Sequence, residues 1–158
     1  MIRCYGIHWH SNKVFWGKQN DAGKLFGAAS KSAKAKPIDF RNQRGIYALY
    51  ADYDLVYIGQ TGSGEDRLFN RIRSHRSDHL SDRWNRFSWF GTQWVTTKQE
   101  LSVDTIRLDE SVEVTLNILE AVSIAISEPR LNLQRGRWGE ATKYFQWWDR
   151  QDDHEDDE

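Results

Sequence analysis

Three features typical of exported or membrane-embedded chains are missing from this sequence. It contains a single cysteine, Cys4, so it cannot form an internal disulfide and offers no pair of thiolates for a metal. Residues 1–17 are interrupted by charged and histidine side chains, which argues against a signal peptide, and no stretch is apolar over the length of a membrane span. We therefore expect a cytoplasmic protein with no membrane partner.

The chain also has little net charge, but the charge is unevenly distributed. The formal net charge is −1, yet residues 149–158 hold seven acids and one base, so residues 1–148 carry +5. A mildly basic body suits a protein that meets phosphate backbones, although +5 is too small to prove it. The acidic end is typical of a solvated, disordered tail.

Aromatic residues are abundant, at 13% of the chain with eight tryptophans. Such a content indicates either an aromatic core or rings at a binding surface. The segment 134–148 poses this choice most clearly, because arginines alternate there with aromatic residues. It could stack on exposed bases or fold back over a sheet. We favour the second interpretation.

Two short strands are predicted between residues 46 and 58. Residues 46–50 and 55–58 are rich in aromatic and branched side chains, and Asp52, Tyr53 and Asp54 separate them. That pattern is typical of an antiparallel hairpin.

A helix is predicted after this hairpin. Gly59 ends the second strand, and Ser63 with Asp66 three residues later is typical of a helix start. Arg71 and His75 then lie four residues apart, so the helix directs a fixed cation and a titratable imidazole the same way.

The remaining elements complete an α/β fold. We expect a hairpin over residues 1–18 that turns at 11–13, a basic loop or weak helix over 18–44, a third strand over 87–95 and a buried helix over 110–127. The predicted fold is a small antiparallel or mixed sheet flanked by helices. Three strands form its core, and the N-terminal hairpin adds to it.

Over residues 44–133, which include this hairpin and the helix after it, the chain resembles the GIY-YIG endonucleases. The two signatures of that family are matched, at about their usual separation, by Gly45-Ile46-Tyr47 and Tyr57-Ile58-Gly59. The pattern over 71–75 is similar to the family's arginine and histidine one turn apart. Further along, Glu120 in an apolar helix resembles the metal-binding glutamate, and Asn132 resembles a structural asparagine.

This resemblance covers residues 44–133 and implies a metal-dependent endonuclease that cuts DNA. One Mg²⁺ or Mn²⁺ ion bound by Glu120 would polarise the phosphate and stabilise the leaving oxygen. Tyr47 would take a proton from the attacking water, with His75 accepting or sharing it, because a phenol alone is a poor base at neutral pH. The choice of Tyr47 rather than Tyr57 as the base is left open.

Five further residues are given roles by the same resemblance. Arg71 would hold a nonbridging phosphate oxygen, and Tyr57 would hydrogen-bond the phosphate or the water. Gly45, Gly59 and Asn132 would support the site structurally.

We expect one domain over residues 1–148, since 158 residues suffice for one core. The nuclease core would occupy 44–133, after an N-terminal hairpin and basic loop over 1–43. An aromatic segment over 134–148 would follow, and then the acidic tail over 149–158.

DNA is the expected partner. The candidate DNA-binding residues are Arg67, Arg73, Arg76, Lys31, Lys34 and Lys36. A lone module that nicks one strand would need a second copy to cut a duplex, so a homodimer is compatible with this function. Two alternatives remain open: a DNA-binding module of the same fold that has lost catalysis, and an adaptor that binds proteins through exposed tryptophans.

Overall fold

The computed structural model describes residues 1–61, 66–103, 111–128 and 136–150. These residues form an α/β structure, as predicted, with a five-stranded sheet, a three-stranded sheet and two α-helices. In chain order the elements are β1 (Cys4–His10), β2 (Phe26–Ala28), β3 (Ile38–Asp39), β4 (Gly45–Ala51), β5 (Asp54–Gln60), α1 (Leu68–Ser74), β6 (Arg86–Gly91), α2 (Val112–Ser127), β7 (Thr142–Lys143) and β8 (Phe145–Gln146).

The predicted three-stranded core lies at one side of the larger sheet, whose strand order is β5-β4-β6-β1-β7. Strand β4 pairs antiparallel with both β5 and β6, and Tyr47 lies opposite Gly59 on one side and Trp89 on the other. The turn between β4 and β5 places Asp52 at φ 55°, a left-handed conformation that aspartate tolerates well. The strand predicted over 87–95 is confirmed in position but ends at Gly91.

The predicted N-terminal hairpin is wrong. A 3₁₀ turn does form at Ser11–Lys13, but within the described residues 1–61 no strand returns from it alongside β1. Instead β1 enters the main sheet, antiparallel to β6 and parallel to β7. This pairing buries the ring of Trp9, which packs edge-on against Trp89 with ring centroids 5.3 Å apart. Burial of large aromatic surface favours this long-range pairing over a local hairpin.

The prediction of a basic loop or weak helix over residues 18–44 also needs correction. This region contributes β2 and β3, which join β8 in the order β3-β2-β8. The return of the C-terminal segment to supply β7 and β8 confirms that it folds back over the sheet. In that segment Trp138 stacks on Tyr5 with ring centroids 3.9 Å apart.

The two helices pack against opposite faces of the larger sheet. Side chains alternate along β4, so Tyr47 and Leu49 face one way while Ala48 and Tyr50 face the other. Helix α1 lies on the first face through Leu68, Phe69 and Ile72. Helix α2 lies on the second face through Ile118, Val122 and Ile126.

The prediction that α2 is buried nearly all round is wrong. Val112, Leu116 and Leu119 are 76%, 59% and 51% exposed. A helix that lies on one sheet face buries only the stripe toward that sheet, so apolar residues outside the stripe remain at the surface. Among the described residues, neither helix has the length and hydropathy to cross a lipid bilayer.

Candidate active site

A hydrogen bond between Tyr47 and His75 lies at the centre of the candidate site. The Tyr47 hydroxyl is 2.8 Å from Nε2 of His75, and both residues are buried. Strand alternation turns Tyr47 toward α1, and His75 is the C-cap residue directly after α1, with its backbone N–H donating to the carbonyl oxygen of Ile72. Helix α1 begins at Leu68 rather than near Ser63, which lies outside the described residues. The predicted meeting of the tyrosine and the histidine is confirmed.

Asp78 completes a chain of hydrogen bonds that the sequence analysis did not identify. Its Oδ2 lies 2.7 Å from Nδ1 of His75, and its Oδ1 accepts a bond from the N–H of Leu80 at 2.8 Å. The indole of Trp84 donates to the carbonyl oxygen of His75 at 3.1 Å, which holds the same turn in place. The available signal was an aspartate three residues after the histidine, just beyond a helix end.

The Asp78 carboxylate sets the tautomer of His75. Burial alone would raise the pKa of Asp78, but the hydrogen bonds from Leu80 and His75, with the nearby charge of His79, outweigh it and lower the pKa. An ionised carboxylate only accepts hydrogen bonds, so Nδ1 of His75 carries a hydrogen. In a neutral ring Nε2 is then the acceptor, and the Tyr47 hydroxyl donates to it.

Burial raises the pKa of Tyr47, and this opposes formation of a free phenolate. The positive charge of Arg71 acts in the opposite direction, while Tyr57 and Asp78 add to the rise. The phenol therefore remains protonated in the resting protein. It can accept a proton at its oxygen only as its own proton passes to His75.

Tyr57 covers the buried pair and is itself partly exposed. Its ring centroid lies 4.8 Å from that of His75 and 6.3 Å from that of Tyr47. Gly59 makes this packing feasible, because a Cβ there would lie 2.5 Å from Cζ and the hydroxyl oxygen of Tyr47 and 2.8 Å from Tyr57. Gly45, the glycine of the first signature, has φ 156°, and a Cβ there would collide with the carbonyl oxygen of Phe90. Gly59 therefore admits the close packing of the two tyrosines, whereas Gly45 admits the close pairing of β4 with β6.

Arg71 provides a cation beside the pair. It lies on α1 one turn before His75 and is partly buried. Among the described residues its Nε has no hydrogen-bond partner although it is buried from solvent. A buried guanidinium nitrogen without a partner is costly, and an anion that enters the site would satisfy it.

Glu120 does not join this group, and the prediction that it shares a hollow with Arg71 is wrong. Helix α2 packs on the sheet face opposite α1, and its residues Ile118, Ala121 and Val122 point to the sheet. Glu120 is half a turn away from that buried stripe and is exposed. The misreading arose because apolar residues surround Glu120 in sequence, yet Leu116 and Leu119 are themselves exposed.

The resemblance assigned Glu120 as the ligand of a divalent ion beside the Tyr47–His75 pair. Because α2 packs on the opposite face of the sheet, Glu120 does not fit that role. Among the residues described, no group of three or more His, Cys, Asp or Glu side chains is placed to hold a metal. Asn132, the predicted structural asparagine, lies outside the described residues, as does the tail over 151–158.

The predicted DNA-binding residues occupy two surfaces. Arg67 directly precedes α1, the exposed Arg73 lies on α1, and the exposed Arg76 follows the helix. Aromatic rings position both of the latter guanidiniums: Arg73 lies 5.2 Å from the Phe69 ring centroid and Arg76 lies 4.7 Å from that of Trp16.

The second surface is the segment between β2 and β3, where three exposed lysines project: Lys31, Lys34 and Lys36. Lys31 lies over the Phe145 ring of β8, with its Nζ 5.2 Å from the centroid. These lysines therefore border the smaller sheet rather than the Tyr47–His75 pair.

Comparisons of the chain with protein-family models, with curated proteins and with solved structures returned no match.

Proposed function

We propose that the chain is a phosphodiesterase that acts on nucleic acid, an endonuclease of the GIY-YIG type cutting DNA. The observation that carries this proposal is the chain of hydrogen bonds from Tyr47 through His75 to Asp78, with distances of 2.8 and 2.7 Å. A buried tyrosine that donates to a histidine oriented by a carboxylate suits a proton-accepting unit. The neighbouring Arg71 suits a phosphate.

The proposed reaction begins with a water molecule beside the Tyr47 oxygen. The phenol oxygen takes a proton from this water while its own proton passes to Nε2 of His75, and the Asp78 carboxylate stabilises the resulting imidazolium. The hydroxide forms a bond to phosphorus, and the bond from phosphorus to the leaving oxygen breaks with its electron pair on that oxygen. The leaving oxygen takes a proton from solvent water, and the His75 imidazolium returns its proton to solvent through Tyr47, which restores the resting state. Arg71 offsets negative charge on a nonbridging oxygen.

Access to Tyr47 places a condition on this reaction. Tyr47 has no exposed surface, whereas Tyr57 above it is partly exposed. The Tyr57 ring must therefore move when substrate enters, after which its hydroxyl can hydrogen-bond the phosphate. No step is assigned to a metal, because Glu120 is on the wrong side of the sheet. Dependence on Mg²⁺ is tested separately.

The test is nicking of a supercoiled plasmid by the full chain and by Tyr47→Phe, each with Mg²⁺, with Mn²⁺ and with EDTA. We expect the native chain to convert the plasmid to open circles and Tyr47→Phe to be slower by about a hundredfold or more. Loss of nicking in EDTA would show that an ion is required, while equal nicking would show that it is not.

Two results would reject the proposal in favour of another class. Salt-dependent DNA binding without strand breaks under any of these conditions would indicate a binding module without catalysis. Neither binding nor cleavage would indicate an adaptor. Equal nicking by the native chain and Tyr47→Phe would show that the Tyr47 hydroxyl takes no part in the reaction.

A further inference from the structure

A groove of about 570 Å³ lies outside the strands and helix that build the candidate active site. One wall comes from the segment after the 3₁₀ turn, with Phe15, Lys18 and Lys24, and the other comes from β8 and the residues after it, with Trp147 and Trp148. Its walls are thus both cationic and aromatic.

Lysine ammonium groups stand over the rings of this groove. Nζ of Lys18 lies 6.0 Å from the ring centroid of Phe15, and Nζ of Lys13 lies 5.1 Å from that of Trp148. The Phe15 side is accessible, since that residue is 38% exposed. Ring faces next to cations are the arrangement that binds nucleotide bases by stacking and their phosphates by charge.

Acids offset part of the positive charge of the groove. Three lysines line it, Lys13, Lys18 and Lys24, against the two aspartates Asp21 and Asp149. The carboxylate of Asp21 is directed to the backbone, where its Oδ1 accepts from the N–H of Gly23 at 3.0 Å. Lys24 pairs with Asp39, its Nζ lying 3.9 Å from Oδ2, so the cation offered to an anionic ligand beside the exposed ring of Phe15 is Lys18.

The wall that contains Phe15 continues to the end of α1. The next residue, Trp16, packs against Phe69 of α1 with ring centroids 5.6 Å apart, and the Arg76 guanidinium lies over the same indole. Trp16 also meets Trp84 edge-on at 6.3 Å, and Trp84 donates to the carbonyl oxygen of His75. A strand bound in the groove would therefore be carried toward the residues of the proposed active site.

We propose that this groove binds an unpaired segment of nucleic acid, with bases stacked on Phe15 and Trp148 and a phosphate near Lys18. Unpaired bases are required because a duplex hides the ring faces that stacking uses. The inference rests on the proposed function and deepens it: the preferred substrate has a single-stranded segment beside the cleaved bond.

The test measures binding of a fluorescent oligothymidylate by anisotropy, in EDTA and in the Tyr47→Phe background so that no cleavage interferes. Phe15→Leu keeps apolar volume but removes the ring face, and we expect it to weaken binding about tenfold. Phe15→Tyr retains a ring face and should bind like the parent. Lys18→Gln should weaken binding and reduce its salt dependence, whereas Lys98→Gln, an exposed lysine elsewhere, should change neither greatly.

The matched probe is the same oligothymidylate annealed to its complement, for which we expect weaker binding and no effect of Phe15→Leu. Equal affinity of parent and Phe15→Leu for the single strand would overturn the inference, as would equal affinity for both probes. Thermal unfolding confirms that each variant is folded. Binding is measured without cleavage, so the two proposals can fail separately. Weaker binding by Phe15→Leu would support the groove even if the native chain did not nick plasmid. Absence of nicking would reject only the proposed function.

Discussion

Nε2 of His75 lies 2.8 Å from the hydroxyl oxygen of Tyr47, and 28 residues of chain separate the two. The contact joins an inner strand, β4, to the C-cap of α1, so neither side chain can move without disturbing the packing of α1 on the sheet. A hydrogen bond from a hydroxyl to an imidazole stabilises the structure more when it is buried than when it is exposed, because water cannot compete for it. The pair is therefore preorganised for proton transfer.

If Tyr47 and His75 act as one unit, their substitutions should not be additive. We expect His75→Gln and Tyr47→Phe each to slow plasmid nicking by about a hundredfold or more, and the double variant to be no slower than the worse single variant. The measurement is the initial nicking rate of the three variants and the native chain at one DNA concentration. Losses that multiply would instead assign the two residues to separate steps.

Asp78 acts through His75, and Asp78→Asn should impair cleavage while leaving the sheet intact. An amide can donate to Nδ1 and favour the other tautomer, which puts a hydrogen on Nε2 where Tyr47 must donate. We expect a rate loss on the order of a hundredfold, together with a changed nitrogen NMR signature of the His75 ring. A purely structural role would lower the unfolding temperature but leave the tautomer of His75 unchanged.

The same carboxylate predicts how stability depends on pH. Since the pKa of Asp78 is lowered in the folded chain, its contribution is present above the usual aspartate pKa and is lost as pH falls through the folded value. Native protein should therefore be more stable than Asp78→Asn to urea at neutral pH, and this advantage should shrink below about pH 4. An advantage that stayed constant with pH would contradict the lowered pKa.

The Tyr47–His75 contact could be predicted because both positions follow from local rules. Residue alternation along a strand fixes the side of Tyr47, and four-residue spacing on a helix places His75 after Arg71. Asp78 was missed because its role depends on backbone geometry beyond the helix, where His75 adopts φ −72° and ψ −5°. Neither angle can be read from residue spacing.

Long-range pairing and helix orientation were the parts that sequence reasoning could not supply. The partner of β1 is β6, and their register joins Tyr5 to Phe90 across the whole core, which no local turn signal encodes. Helix α2 carries apolar side chains on several sides, so its pattern did not show that Ile118 rather than Leu119 faces the sheet. The wrong position of Glu120 follows directly from that ambiguity.

Buried tyrosines should resist ionisation at alkaline pH. Burial raises the pKa of Tyr47 and Tyr50, and it raises that of Tyr144, beside Cys4, to about 12. A raised folded pKa means that stability is fully present below the usual tyrosine pKa of about 10 and is lost as pH rises through the folded value. Ultraviolet titration should show a late class of tyrosines that ionises together with unfolding by circular dichroism. Ionisation of all six tyrosines in one step near the usual pKa would contradict this burial.

Gly59→Ala should damage the site without touching a titratable group. The new Cβ would lie 2.5 Å from the Tyr47 ring, so the ring or β5 must shift. We expect destabilisation of about 1–3 kcal/mol in urea unfolding, with loss of nicking caused by displacement of the hydroxyl from His75. Combining Gly59→Ala with Tyr47→Leu, which removes the colliding hydroxyl and the whole ring, should reduce the further stability loss. Full additivity of the two losses would contradict the predicted collision.

Glu120 provides the sharpest contrast between the family resemblance and the structure. The resemblance implies that Glu120→Gln abolishes cleavage, whereas an exposed carboxylate on the outer side of α2 should be dispensable. We expect Glu120→Gln to nick plasmid at the native rate and with an unchanged response to Mg²⁺. Glu113→Gln, another exposed glutamate on the same helix, is the matched control for the change in charge. If Glu120→Gln alone lost activity, and higher Mg²⁺ restored part of it, the carboxylate would have to reach the site, and the orientation of α2 described above would be wrong.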